Sequence, residues 1–154
     1  MLTQENLKKA EALFARYPEK KAALLPVLWL AQEQEGWISQ EMMRYVADLV
    51  GVDHAHVLGV VTFYTMFNDT KLGRHHIEVC TNVSCMLRGS DRILETVERV
   101  CGAKAGQTSA DGRFTVSEVE CMGACGGAPM LAVGERYHEH LTAEKTEQLL
   151  SSLR

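Results

Sequence analysis

The sequence predicts an α+β protein in two parts, an N-terminal helical bundle over residues 1–70 and a small mixed sheet with helices over 71–154. Three observations carry that expectation. Apolar residues recur at spacings of three and four through the first part, as on one face of a helix. From about residue 73 short alternating runs replace them, with the period of strands. With 154 residues, 46% hydrophobic and 23% charged, the chain has a globular composition and room for one domain with a helical extension.

Thr3 reads as the N-cap of a first helix, which carries Leu7, Ala10, Leu13, Phe14 and Tyr17 on one face and ends at Pro18. A second helix is expected from about Glu19 to Glu35. It carries Leu24, Leu25, Leu28 and Trp29, accommodates Pro26 as a kink or in its first turn, and stops at Gly36. Ser39 caps a third, with Met42, Met43, Val46, Leu49 and Val50 on one face before Gly51, and Asp53 caps a short fourth through Val57, Val60 and Val61.

In the second part Ile77 and Val79 mark a strand in HHIEVC, and Phe114 and Val116 mark another in RFTVSEV. MLAV at 130–133 and a segment near Tyr137, after Gly134, read as a hairpin. A helix opens at Ser90 with Ile93, Leu94, Val97, Val100 and Cys101 on one stripe, and a last one, capped by Thr142, carries Leu149, Leu150 and Leu153. The resulting order is β-α-β-β-α. Two strands joined by a crossover helix are expected to be parallel, and the closing hairpin and helix give a thioredoxin-like layout.

Net charge is −4, with 16 basic and 20 acidic residues mixed along the chain, so no basic footprint for nucleic acid or an anionic membrane is visible. The longest apolar stretch, AALLPVLWLA at 22–31, is far short of the roughly 20 residues that span a bilayer. A polar N-terminus without an apolar signal segment points to the cytosol. Five cysteines in that reducing compartment favour metal or thiol chemistry over structural disulfides.

Four of them form two pairs, Cys80 and Cys85 in CTNVSC and Cys121 and Cys125 in CMGAC. Each pair is expected to end a strand, so parallel strands would bring both to one edge of the sheet, where loops can wrap a ligand. Gly123, Gly126 and Gly127 remove side chains around the second pair, freeing backbone amides to approach sulfur. An iron-sulfur cluster, a structural four-cysteine zinc site and a dithiol oxidoreductase are the three readings of this constellation. Zinc sites favour tight C-x2-C turns and dithiol enzymes favour C-x-x-C, and neither spacing occurs here. The spacing also differs from that of plant-type ferredoxins.

The arrangement C-x4-C, x35, C-x3-C resembles the [2Fe-2S] subunit family of NADH:quinone oxidoreductase, the 24 kDa or E subunit of respiratory complex I. The likeness extends to VVTFYTMF at 60–67, GRHHIEVCTNVSC at 73–85 and ECMGACGGAPM at 120–130, and so covers nearly the whole chain. It implies a thioredoxin-like domain holding one [2Fe-2S] cluster on Cys80, Cys85, Cys121 and Cys125. It implies too a tight heterodimer with a flavin-binding, NADH-oxidising subunit that holds FMN. That pair would lie in the peripheral arm of a larger translocase, at the cytoplasmic face of the inner membrane, without inserting into it. Gly127 departs from the family, whose members often carry asparagine there. Small diaphorase subunits of NAD-dependent formate dehydrogenases and bidirectional hydrogenases are the alternative.

Cys101 is expected to be a buried apolar residue, outside the ligand set. The six histidines, at spacings that do not converge, are read as surface residues. Trp29, Trp37, Met42 and Met43 are expected to fill a helical core or interface, and Phe63, Tyr64 and Phe67 to pack between the two parts. Arg74, Arg88 and the glycine amides are expected to stabilise the reduced cluster. No Walker A, dinucleotide fingerprint or nucleophile-base set occurs, so the isolated chain is expected to carry electrons for a reaction performed by its partner.

Overall fold

The computed structural model describes residues 1–153, and the chain divides into two compact units, Met1–Lys71 and a second that begins at Leu72.

The first unit is four helices: α1 (Gln4–Phe14), α2 (Leu24–Glu35), α3 (Gln40–Val50) and α4 (His54–Phe63). Thr3 and Ser39 cap as expected, accepting from the Asn6 N–H at 3.2 Å and the Met42 N–H at 3.1 Å. Asp53 has the extended backbone of an N-cap but makes no capping bond. α2 and α3 both end on a left-handed glycine, Gly36 at φ +80° and Gly51 at φ +82°. α1 stops at Phe14, earlier than its periodicity suggests, which leaves Tyr17 off the helix and exposed. The proline that follows disfavours helical backbone at Tyr17. The segment expected to open α2 at Glu19 is instead a 3-10 turn, Lys20–Ala23, and Pro26 falls in the first turn of α2, where a missing N–H costs nothing.

The helices bury Val27, Leu28, Ala31, Met43, Val46, Val57 and Val61 in one core. The Gln32 carboxamide ties the end of the unit to α2, donating to the Met66 carbonyl at 2.8 Å and accepting from the Asn68 N–H at 2.7 Å. Met42 and Met43 are core residues as expected, but Trp29 is 39% exposed. Of Phe63, Tyr64 and Phe67, only Phe67 is buried, and it packs into the helical core. Among the described residues no single helix is long and apolar enough to cross a membrane, and α3 and α4 meet at a bend of 119°.

The second unit comprises β1 (His75–Cys80), α5 (Val83–Leu87), α6 (Ser90–Cys101), β2 (Gln107–Thr108), β3 (Phe114–Val119), β4 (Leu131–Val133), β5 (Arg136–His138) and α7 (Ala143–Ser152). The sheet order is β2-β3-β1-β4-β5. β1 and β3 are parallel, joined through α6 as the crossover rule requires, and the remaining pairs are antiparallel. The expected β-α-β-β-α order thus stands as a frame, with the hairpin strand near Tyr137 present as β5, and β2 and α5 are added to it. Ile77, Val79, Val116 and Leu131 pack with Ile93 and Val97 of α6 and Leu150 of α7. Gly73 permits the chain to enter β1: a Cβ there would stand 2.8 Å from the Phe114 carbonyl carbon.

Candidate metal centre

The parallel register pairs Cys80 with Val119, so the loops that leave β1 and β3 emerge side by side at one end of the sheet. Thr81 continues the pairing for one step, donating its N–H to the Val119 carbonyl at 3.1 Å and its hydroxyl to Glu118 Oε1 at 2.7 Å. Asn82 then starts α5 by accepting the Val83 N–H at 2.8 Å, and that turn carries Cys85 inward. Cys80 and Cys85 are 3% and 2% exposed and share an apolar nest with Ala128 and Met130, edged by Val119, Met122 and Ala124.

The second pair sits differently. β3 ends at Val119, so Cys121 lies beyond the strand end rather than closing it, in an exposed loop. Cys125 opens the 3-10 turn Cys125–Gly127 and is also exposed. The site therefore has two thiols on its buried wall and two on its solvent side. Burial pushes the Cys85 thiol up to about 11, helped by its hydrogen bond with Cys80 and by the nearby charges of Cys80 and Cys125, while a Met130 backbone bond opposes the rise.

Among the described residues only one of the three glycine amides serves a sulfur. The Gly123 N–H points to Cys121 Sγ at 3.3 Å, with Gly123 at φ +74°. The Gly127 N–H is spent on the Ala124 carbonyl at 2.9 Å, and Gly127 is buried under Glu139, whose Oε1 would stand 2.7 Å from an added Cβ. The chain after β5 fastens this loop: Tyr137 donates its hydroxyl to the Met122 carbonyl at 3.1 Å, His140 its N–H to Gly127 at 2.6 Å, and Leu141 its N–H to Pro129 at 3.1 Å. The Ala128–Pro129 peptide bond between them is cis. Nothing in the sequence marks Tyr137, Glu139 and His140 as loop-fastening residues, because they reach the cysteine loop only through the β4–β5 hairpin.

Several other expectations change. Arg74 precedes β1 and so lies at the end of the strand opposite Cys80, about 20 Å away for six residues of strand, too far to act on a cluster there. Arg88 follows α5 directly, but is exposed. His76 is half-buried, with Nε2 2.8 Å from Ser117 Oγ, and its pKa is lowered by burial, against a raising effect of Glu78. His54 Nε2 is buried without a partner among the described residues, and His138 is partly buried, so these three are only partly exposed, while His56 and His140 are exposed as expected. Cys101 sits in the apolar core, where burial raises its thiol to about 11; the charges that act on it, Arg113 and Asp111, lie at the start of β3, away from the paired cysteines.

The donor set suits a two-iron group. All four candidate ligands are soft sulfur donors, and a [2Fe-2S] cluster takes two from the protein on each iron.

A family model described as thioredoxin-like [2Fe-2S] ferredoxin matches residues 10–154. The chain belongs to that family. The ferredoxin chain is 44% identical over 155 residues to the NADH dehydrogenase [ubiquinone] flavoprotein 2, mitochondrial, of Dictyostelium discoideum, covering 99% of this chain and 63% of that protein. It is 43% identical over 144 residues to E subunit 2 of the NADH-quinone oxidoreductase of Rhizobium meliloti, covering 94% of this chain and 86% of that one. With the NADH-quinone oxidoreductase E subunit of Rickettsia conorii it shares 41% over 153 residues, covering 97% and 92%. It thus spans less than two thirds of the Dictyostelium protein but most of the bacterial subunits. In fold the ferredoxin chain resembles a chain of an air-oxidised NAD+-reducing [NiFe]-hydrogenase, with a TM-score of 0.74 at 20% identity over 85% of this chain and 22% of that one.

Proposed function

We propose that this chain is the [2Fe-2S] electron-transfer subunit of an NADH:quinone oxidoreductase, with Cys80, Cys85, Cys121 and Cys125 as the cluster ligands. One observation carries the reading: β1 and β3 run parallel, so the segments that follow them leave one end of the sheet, and those segments contain all four paired cysteines. The names of relatives at 41–44% identity supply the parent complex. Bound there, the cluster would accept and release one electron at a time. The chain's own residues hold it between a buried wall, at Cys80 and Cys85, and an exposed one, at Cys121 and Cys125. The buried wall keeps water from the sulfurs, and the Gly123 N–H stabilises sulfur charge.

The partner in this reading is a flavin subunit that oxidises NADH on FMN and forms a heterodimer with this chain. The pair would sit in the peripheral arm at the cytoplasmic face of the inner membrane, and the helical and cluster units would be separate functional domains. The diaphorase of an NAD-linked hydrogenase is the second reading, favoured only by a likeness of fold.

Anaerobic purification and metal analysis test the cluster: iron and acid-labile sulfide near two each per chain are expected, lost on serine substitution of any of the four cysteines and kept in Cys101→Ser. Zinc near one per chain, without visible absorption, would overturn the reading. Co-purification from the native host tests the complex, and the neighbours expected are an FMN protein and quinone-reducing subunits.

A further inference from the structure

We infer that the electron-transfer partner docks over α5, on an apolar patch flanked by two unpaired arginines, and that the partner's matching face is apolar with an acidic rim. The inference rests on the electron-transfer reading above.

The patch is visible in where the second unit leaves large apolar side chains in water. Among the described residues of that unit they are Val83 at 57% exposed, Met86 at 49%, Leu87 at 78% and Tyr137 at 50%. Three belong to α5, the five-residue helix whose reverse side carries Cys85 into the buried wall. The fourth, Tyr137, bonds the carbonyl of Met122 between the two exposed cysteines. Every such side chain of the unit therefore borders the cysteine loops. Elsewhere the unit hides its apolar residues against α6 and α7, so it does not expose apolar surface for want of a core.

Charge indicates what covers the patch. Arg88 and Arg92 follow α5, and neither forms an ion pair among the described residues, while the ion pairs of the neighbouring α6 engage Arg99 and Lys104 instead. They line a groove of about 510 Å³ together with Leu87, Pro129, Leu141 and a single acid, Glu144. Methionine, tyrosine and arginine around an apolar centre is the composition of an interface, and unpaired arginines call for carboxylates from outside. A helix with its side chains is about 10 Å across, so a redox centre set against α5 would stand close to the sulfur on its reverse side. Surface, charge and electron path coincide on one face.

The test uses the whole chain with its cluster and the FMN-bearing subunit. Leu87→Asp should raise the Kd of the pair about tenfold or more, as for an apolar residue at an interface centre. Arg88→Glu combined with Arg92→Glu should slow association and flatten its dependence on salt. Both should keep two iron and two sulfide per chain, which separates lost docking from lost folding. Lys104→Glu, at the other end of α6, should bind the partner as the wild type does. A wild-type complex indifferent to both α5 variants would overturn this surface and leave the electron-transfer reading standing. Self-association that Leu87→Asp abolishes, with partner affinity unchanged, would assign the patch to a second copy of the chain. Failure of the wild-type chain to bind any flavoprotein would overturn both readings.

Discussion

Gly126 and Gly127 are adjacent in the sequence and differ in what they tolerate. An added Cβ at Gly126 meets nothing within 4 Å, whereas at Gly127 it meets Glu139, including that residue's own Cβ at 2.8 Å. Gly127→Ala should therefore cost about 1–3 kcal/mol in denaturant unfolding and Gly126→Ala less than about 0.5. Glu139→Ala should restore only part of the loss, because its Cβ remains. Gly123 is the one expected to tune the site: Gly123→Ala, straining a φ of +74° and disturbing the amide at Cys121, should shift the midpoint measured by EPR titration by tens of millivolts, on the order of 1 kcal/mol at about 59 mV per tenfold change. The placing of four thiols after two parallel strands could be read from the sequence, and the burial of Cys101 from its helical stripe. The division of labour among the glycines could not, because it depends on hydrogen bonds made by a hairpin that returns to the loop. Cys101 also gives a pH signature. Burial raises its thiol from 9.0 to about 11, so the folded state prefers the protonated form. That stabilisation is whole below pH 9 and is lost as pH climbs from 9 to 11. Unfolding series across that window should show the wild type losing stability, with a smaller loss in Cys101→Ala.

At the scale of elements, what could be read was whatever repeated its period long enough. β1 and β3, six residues each, and α6, at twelve, fall where their alternation or stripe places them. β2 has two residues and α5 five, too few for a period to register, and both owe their existence to neighbours: β2 pairs along β3, and α5 starts on the Asn82 cap. Caps were legible by residue type but not by use. Ser39 and Thr142 accept hydrogen bonds from Met42 and Lys145, while Asp53 has the right backbone and makes none. Ser39→Ala and Thr142→Ala should each cost about 1 kcal/mol, and Asp53→Ala distinctly less, its residual effect coming from charge beside the first turn of α4. Thermal melts of the three variants decide it. An equal loss at Asp53 would mean that its carboxylate caps α4 in solution.

On the scale of the molecule, the two units differ in what they hold. All four paired cysteines and both apolar clusters around them belong to the second unit, as do the tyrosine and histidine that fasten the second loop. The first unit has its own core and contributes no candidate ligand, yet it leaves Phe63 76% and Met66 46% exposed, with Trp29 and Tyr64 near 39%. Aromatic surface of that kind, concentrated at the end of α4 and beside it, suits a protein contact better than water. Residues 72–154 expressed alone should then retain iron and sulfide near two each per chain, because all four candidate ligands are kept. The same fragment is expected to bind a flavin subunit more weakly than the whole chain, since the exposed apolar side chains of the first unit are gone. Restoring residues 1–71 with Phe63→Ser and Met66→Ser together should leave affinity near that of the fragment. Full affinity in the fragment would confine docking to the cysteine end, whereas a fragment that folds but holds no iron would make the helical unit part of the metal site.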